Sequence, residues 1–331
     1  VSVRTAFVTG VTGQTGSYLA EQLIASGHRV VGLVRGGDTT SQDLLSRTPD
    51  VTLVEGDLLD SARLREIVLD VAPDVVYNLG GLTSVGASWT EPLATAGTTG
   101  LSAAVLLDAA LAVHRTAAKP VGFVQASSAE IFGSPAQHPQ DETTPVLPIN
   151  PYGAAKAYAH FLVRSYRQLG LDASSCILYN HESPRRPTTF VTRKITRAAA
   201  RISLGLQDKL TLGALDSRRD WGWAPDYANA IAMVGESAAD DFVVATGQSH
   251  SVEDFVVAAF AAAGVPDWRS RVEQDPAFLR PTDAPELVGD STKLRRNLGW
   301  ETTVSFEEMI ARMVRHDIER ESSDGRPADR G

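Results

Sequence analysis

Through the first half of the chain, short apolar runs bounded by turn residues alternate with stretches whose apolar positions recur at helical spacing. Residues 6–8, 30–34, 51–54, 75–79 and 121–124 fit buried strands, and residues 18–25, 62–71 and 101–111 fit amphipathic helices. That alternation predicts an α/β fold, a Rossmann-type doubly wound parallel sheet with crossover helices on both faces. Residues 174–179 read as one more strand. The rhythm then breaks into a Pro- and Arg-rich stretch at 181–187 and a basic helix over about 192–204, and βα texture returns at 242–245 and 252–263. The pattern divides the chain into a dinucleotide-binding part, 1–179 with 220–247 returning to it, and a smaller discontinuous part, 180–219 with 248–331. The polar residues 320–331 lack apolar periodicity and predict a frayed tail.

At the first strand–helix junction lies Gly10-Val11-Thr12-Gly13-Gln14-Thr15-Gly16. Glycines there permit a tight turn and bring backbone N–H groups and a helix N-terminus against a pyrophosphate. The GxxGxxG spacing differs from GxGxxG, but the physics is shared. Arg35 follows strand two where an acidic residue would bind the ribose hydroxyls of NAD, and a guanidinium there suits a 2′-phosphate. The cofactor expected is therefore NADP rather than NAD. Asp57, after strand three, suits either the adenine amino group or a helix N-cap.

Charge sharpens the picture. The net charge of −9 argues against nucleic-acid binding, which draws on a basic surface. Yet from Arg185 to Arg219 there are nine basic residues against two acidic ones, which points to a local anionic ligand. Arg197 and Arg201, one helical turn apart, fit a solvated helix face equally well. No uninterrupted apolar run reaches the length of a membrane span, the start of the sequence lacks the pattern of a secretory signal, and a cytoplasmic protein is expected. The single cysteine, Cys176, reads as a buried structural thiol, and the seven histidines show no paired ligand spacing, so no metal is expected.

Tyr152-Gly-Ala-Ala-Lys156 places a phenol and an ammonium on one helical face, where the cation can favour the phenolate as a base. Asn150-Pro151 is a sensible start for that helix. Upstream, Ser127, Ser128 and Glu130 follow a parallel strand at the end where such sheets bind ligands. Glu130 reads as an acid–base group or as a cap near Gly133.

The Gly-rich loop, the strand-end serines and Tyr-x-x-x-Lys together resemble the extended short-chain dehydrogenase/reductase family. Longer segments, 10–21, 180–186, 189–197, 219–222, Arg280-Pro281, Gly289-Asp290 and 298–300, are similar to the GDP-mannose 4,6-dehydratase family within it. The resemblance implies Ser128, Glu130, Tyr152 and Lys156 as the catalytic group. It adds Leu58, Leu79, Gly80, Thr83, His181 and Arg186 to the cofactor site formed by Gly10, Thr12, Gly13, Gln14, Thr15, Gly16, Arg35 and Asp57. To the substrate side it assigns Ser84, Asn180, Arg193, Lys194, Arg219 and Arg280, with Ser128 and Glu130 touching the sugar. The sequence departs from that family at Thr15 (usually Asp), Ser128 (usually Thr), residues 78–84, Ala94 (usually Tyr) and Gly36 (usually a second Arg), and its loop after Arg35 is short.

The activity this implies is conversion of GDP-mannose to its 4-keto-6-deoxy derivative with no net cofactor consumption. A nucleotide-sugar epimerase or 4-keto reductase on the same fold and a non-catalytic NADP-binding scaffold are the alternatives. Glu130 with the block 180–197 separates the dehydratase from the epimerase or reductase, which needs no carboxylate for elimination at C5, and the intact Ser128, Tyr152 and Lys156 argue against the scaffold. Apolar residues on more than one face of the helices at 101–111 and from Tyr152 predict a homodimer at least, with a homotetramer as the larger alternative.

Overall fold

A computed structural model describes residues 3–117, 119–278 and 282–324. In chain order the first strands are β1 (Thr5–Thr9), β2 (Arg29–Val34), β3 (Thr52–Glu55), β4 (Val75–Asn78), β5 (Gly122–Ser128) and β6 (Asp172–Leu178). The short β7 (Asn180–Glu182), β8 (Leu210–Leu212) and β9 (Arg218–Trp223) precede β10 (Asp241–Val244). Phe7, Val8, Val75, Val76, Tyr77 and Phe123 are all buried, so successive residues of one strand need cover on opposite faces. The sheet that results is seven-stranded and parallel, ordered β10-β6-β5-β4-β1-β2-β3, as the strand–helix alternation predicts.

Helices supply the cover. They are α1 (Gln14–Ala25), α2 (Ser41–Arg47), α3 (Ser61–Val71), α4 (Val85–Ser88), α5 (Pro92–Thr95), α6 (Ser102–Thr116), α7 (Pro151–Gln168), α8 (Val191–Ser203), α9 (Ala224–Gly235), α10 (Val252–Ala262), α11 (Thr292–Leu298) and α12 (Phe306–Asp324). One face buries Leu19, Leu23, Ile231 and Val234 of α1 and α9 against the sheet, and the other buries Leu64, Ile67, Leu106 and Leu107 of α3 and α6. Through a π-helical turn at Ala96–Leu101, α5 and α6 run as one helix, Pro92–Thr116, long and apolar enough by length and composition to cross a membrane. No uninterrupted apolar run marks it in the sequence, because polar residues such as Thr98, Thr99 and Ser102 break the run. Thr98 and Ser102 bond back to carbonyls one turn earlier, which removes the cost of their hydroxyls. Just over half of its most apolar stretch is buried, with packing against α3 and α7.

The second lobe has its own core, in which Ile195, Trp221, Phe255, Phe260, Ile310 and Met313 meet from α8, β9, α10 and α12. Its strands β11 (Ser249–Ser251) and β13 (Glu286–Leu287) flank β9, β7 also pairs with β9, and β12 (Val272–Gln274) pairs with β8. The division at 219/220 therefore cuts through β9, which belongs to the smaller sheet. Residues assigned to the second part by sequence, Ala284, Leu287, Leu294 and Trp300, instead join the core of the first. The Trp300 indole donates to Asp226 O at 2.8 Å and anchors that return.

Two further expectations are corrected. Of the tail predicted to fray from residue 320, the part through Asp324 is helical, because Glu321 is buried and paired with both Arg197 and Arg201, and residues 325–331 lie outside the described residues. Those arginines hold the C-terminal helix to α8 rather than an anion. Arg193, assigned to the substrate, is buried: it pairs with the equally buried Asp317 and donates to Pro184 O at 3.2 Å. Arg280 lies outside the described residues. Removing one partner of a buried pair strands the other charge, at a cost of roughly 3–5 kcal/mol, whereas replacing both is often near neutral. Arg193→Met should accordingly lower the melting temperature sharply, and Arg193→Met combined with Asp317→Leu should recover most of it. Equal melting temperatures for the single variant and wild type would show that the pair is not holding α8 to α12.

Candidate active site

The carboxyl edge of the central sheet is organised by a row of buried polar groups. Thr9 Oγ1 donates to Asn78 Oδ1 at 2.8 Å, Asn78 Nδ2 to Gln125 Oε1 at 2.8 Å, and Gln125 Nε2 to Ala126 O at 3.0 Å. Thr9 and Asn78 are register partners, as are Asn78 and Gln125, so the row runs straight across β1, β4 and β5. Thr9 Oγ1 also accepts from Leu79 N and Gly80 N, which bends the chain after β4 over the Gly-rich loop.

That loop fits a bound pyrophosphate. A Cβ on Gly16 would stand 2.1 Å from Gly10 O, and one on Gly10, where φ is +66°, would stand 2.9 Å from Gly80 N. Only glycine permits these approaches. Gly13 caps α1 without a side-chain acceptor, so the first-turn amides are left for an anion. The Gln14 side chain is spent elsewhere, donating to His181 O at 2.9 Å and accepting from Ser183 Oγ at 2.7 Å. Together with Thr15 Oγ1, 2.8 Å from His181 Nε2, it fastens the loop to β7. The His181 Nδ1–H donates to Tyr179 O at 2.8 Å, so Nε2 accepts from Thr15. Burial and the neighbouring Arg186 push this imidazole down to about 4, which keeps it neutral.

Between the lobes is a cavity of about 600 Å³. It gathers Thr15, Leu79, Thr83, Ser84, Ser128, Glu130, Tyr152, Lys156, Asn180, His181, Arg186, Lys194 and Arg219, so most of the residues singled out by sequence meet there. Gly10, Thr12, Gly13, Gly16, Arg35, Asp57, Leu58 and Gly80 are not among its lining; they lie at the carboxyl ends of β1–β4, with Leu58 packed against Gly80. Asp57 Oδ1 accepts from Leu59 N at 2.8 Å in a local turn, while the N-cap of α3, the alternative weighed for Asp57, is Asp60, which accepts from Arg63 N at 3.0 Å; the other Asp57 oxygen is left for a ligand.

Chemistry concentrates where β5 meets α7. Ser128 Oγ caps a one-turn 3₁₀ helix, Ala129–Phe132, by accepting from Glu130 N at 3.3 Å. Asn150 does two things: its Oδ1 caps α7 by accepting from Gly153 N at 2.8 Å, and its Nδ2 donates to Glu130 Oε2 at 2.8 Å. One residue thus fixes both the helix that carries Tyr152 and the carboxylate beside it. Lys156 Nζ donates to Ala126 O at 2.6 Å, the carbonyl that ends the polar row, and stands 5.8 Å from the Tyr152 ring centroid.

Lowering of the phenol by the ammonium, expected from sequence, is not what prevails. Burial pushes Tyr152 up to about 12, while the Ser128 hydroxyl hydrogen bond pulls the other way. Burial likewise pulls Lys156 down to about 8. Both charged forms are disfavoured in a dry site, and their stabilisation is left to a ligand.

Comparison with known proteins bears on this arrangement. A family profile described as GDP-mannose 4,6 dehydratase matches residues 7–313. GDP-mannose 4,6 dehydratase 1 of Arabidopsis thaliana is 42% identical, covering 95% of this chain and 90% of that protein. The Homo sapiens GDP-mannose 4,6 dehydratase is 40% identical, covering 95% and 91%. The chain belongs to the GDP-mannose 4,6-dehydratase family. Among solved structures, the Thermus thermophilus UDP-glucose 4-epimerase complex with NAD superposes with a TM-score of 0.81 at 28% identity, covering 95% of this chain and 98% of that one.

Within that family fold, several contributors escape sequence reasoning. Glu182 is buried, accepts from Thr192 Oγ1 at 2.7 Å, and lies 3.3 Å from Arg186 Nε. It holds Arg186, which also stacks on Phe190 at 3.8 Å, against the cavity wall. Arg185 instead pins α1, through Glu21 at 2.7 Å and the Tyr18 ring. The carboxylate of Asp220, in the motif Arg219-Asp-Trp-Gly222, accepts from Thr246 and from the Gly247 and Gly289 amides. Arg219 pairs with Asp283 and donates to Ala284 O at 2.9 Å. Lys194 donates to Thr211 O at 2.7 Å and leans on Phe278. The Trp221 indole lines the cavity, and its Nε1 has no hydrogen-bond partner among the described residues. Arg186, Lys194, Arg219 and the 219–222 segment stand out in the sequence, and Asn150 does so as a helix cap; its bond to Glu130, twenty positions away, carries no signal.

The buried lysine sets a test with a definite sign. Its folded value of about 8 lies below the ordinary 10.5, so an ammonium is disfavoured by folding. Below pH 8 both folded and unfolded chains hold the proton and the penalty is complete; between about 8 and 10.5 only the unfolded chain holds it, and the penalty fades. Lys156→Met should therefore lose activity yet melt higher than wild type near pH 7, with the advantage narrowing toward pH 10. A melting difference independent of pH across that range would contradict the buried ammonium.

Proposed function

We propose that this chain converts GDP-mannose to GDP-4-keto-6-deoxymannose, with a nicotinamide dinucleotide held on the Gly-rich loop. The observation that carries the reading is the meeting of Ser128, Glu130, Tyr152 and Lys156 in one cavity, with Glu130 held by Asn150. Relatives from plants, animals and bacteria that are 38–42% identical bear the name of this dehydratase.

When bound, the nicotinamide supplies the oxidant for C4 and afterwards the reductant for C6, so none is consumed. Ser128 and Tyr152 hold the C4 hydroxyl and take its proton, and Lys156, protonated below about pH 8, favours the phenolate. A ketone at C4 acidifies the C5 hydrogen. Glu130 takes that proton and returns it to the C6 hydroxyl, which leaves as water, and when C6 is reduced C5 regains a proton drawn from solvent through Glu130. Epimerisation has no step that needs such a carboxylate. Lys194, with Arg219 and Arg186, which are held by Asp283 and Glu182, supplies donors on the cavity wall suited to a diphosphate. NADP is the favoured cofactor because Arg35 is exposed at the end of β2 and makes no ion pair among the described residues.

Incubation with GDP-mannose and NADP⁺, followed by mass spectrometry, should show loss of one water. Glu130→Gln should bind GDP-mannose and partly reduce the cofactor in a single turnover. It should also lose ~10²–10⁴-fold in dehydration and fail to wash solvent deuterium into C5. Normal dehydration by this variant, with deuterium still arriving at C5, would assign the base to another residue.

Homodimerisation is part of the same reading. Leu101 and the α7 residues Tyr158 and Phe161 leave 57%, 44% and 48% of their surfaces exposed where the two helices run side by side. An apolar strip of this kind is suited to pairing across a twofold axis. Light scattering at micromolar concentration should give a dimer, and Phe161→Asp a monomer; a wild-type monomer would refute the pairing.

A further inference from the structure

The segment after β2 holds a carboxylate that the cofactor reading leaves unused. Asp38 N donates to Arg35 O at 3.1 Å, and Gly37, with φ of +74°, turns the chain so that the Asp38 side chain meets the Gly-rich loop. There Asp38 Oδ2 accepts from Thr12 Oγ1 at 2.9 Å, while Oδ1 accepts from Thr40 N at 2.9 Å and Thr40 Oγ1 at 2.6 Å. These hydrogen bonds and the nearby Arg35 hold Asp38 below the usual carboxylate range against the desolvation that opposes them, so it is ionised at neutral pH. A second carboxylate stands close by: a Cβ on Gly36 would lie 2.4 Å from Glu55 Oε1. Arg35 thus interacts electrostatically with Asp38, and a second carboxylate, Glu55, stands beside the next residue along the chain.

β1, β2 and β3 are adjacent and parallel, so Thr12, Arg35, Asp38 and Glu55 share the carboxyl edge where a dinucleotide's adenosine ribose sits in this type of sheet. A carboxylate at that edge accepts from ribose hydroxyls and repels a 2′-phosphate, and a guanidinium does the reverse. We infer that Asp38 is a second cofactor-discriminating residue, which counteracts Arg35 and lets the enzyme use NAD as well as NADP. The inference rests on the cofactor reading above. Thr12 carries the coupling: it bonds to Asp38 from within the Gly-rich loop, so the carboxylate is held against that loop. Specificity then arises from a repulsive group as much as from an attractive one.

The test is a pair of titrations of the full chain with NADP⁺ and NAD⁺, followed by tryptophan fluorescence, on wild type and on Asp38→Asn, Asp38→Ser and Arg35→Ala. Asparagine keeps an acceptor for Thr12 and Thr40 and removes the charge; serine is the second variant in case the amide disturbs the turn. Both Asp38 variants should raise the NADP:NAD affinity ratio on the order of tenfold, and Arg35→Ala should lower it. A ratio unchanged in both Asp38 variants, with circular dichroism and NAD affinity intact, overturns the proposal even where Arg35→Ala lowers the ratio. A ratio that rises in the Asp38 variants but does not move in Arg35→Ala supports Asp38 and removes Arg35 from the cofactor reading.

Discussion

Everything chemical in this protein hangs on a line of side-chain amides and hydroxyls buried across three strands. Thr9, Asn78 and Gln125 occupy matched registers of β1, β4 and β5, and each is satisfied by the next. Unpaired, such groups would each cost on the order of 1–3 kcal/mol in a dry sheet; paired, they allow one register only. The line ends on the Ala126 carbonyl, which also receives Lys156. Through that oxygen the position of Lys156 is tied to the same register that shapes the Gly-rich loop, so that loop and α7 are set by one constraint.

A second set of contacts joins the lobes. Gln14, Thr15 and Arg185 connect the loop and α1 to β7 and the segment beyond it, and Asp220 gathers donors from the turns after β10 and β13. Tyr227 stacks on His181 at 4.7 Å and sits where any side chain on Gly222 would collide with it. The cavity between the lobes therefore has walls supported from behind, which is what a reaction with successive proton transfers at neighbouring carbons demands of its acid–base groups.

Much of this was legible in the sequence, for reasons that are local. Doubly buried strands write continuous apolar runs, the Gly-rich turn and Tyr-x-x-x-Lys lie within short spans, and helix 191–203 announced itself by periodicity. What was hidden depends on distant partners. Arg193 reads like any other member of a basic cluster until Asp317, from the last helix, is found against it. Residues 320–324 look like a polar tail because the charge that orders them is Glu321, whose partners Arg197 and Arg201 lie more than a hundred positions earlier. The strand over 218–223 alternates too weakly to mark its sheet, and its pairing with three short strands far apart in sequence is what moves the lobe boundary.

Ser128 caps the single 3₁₀ turn on which Glu130 lies two residues later, and Asn150 grips that turn from the N-cap of α7. In the proposed mechanism, the spacing between the group that serves C4 and the group that serves C5 is consequently a backbone dimension, fixed like the gap between two teeth of a comb. Substitutions in the second lobe can change which sugar nucleotide enters, but they have no lever on that gap. A lineage built on this turn is free to drift in what it binds while remaining committed to acting on two adjacent carbons of a hexose.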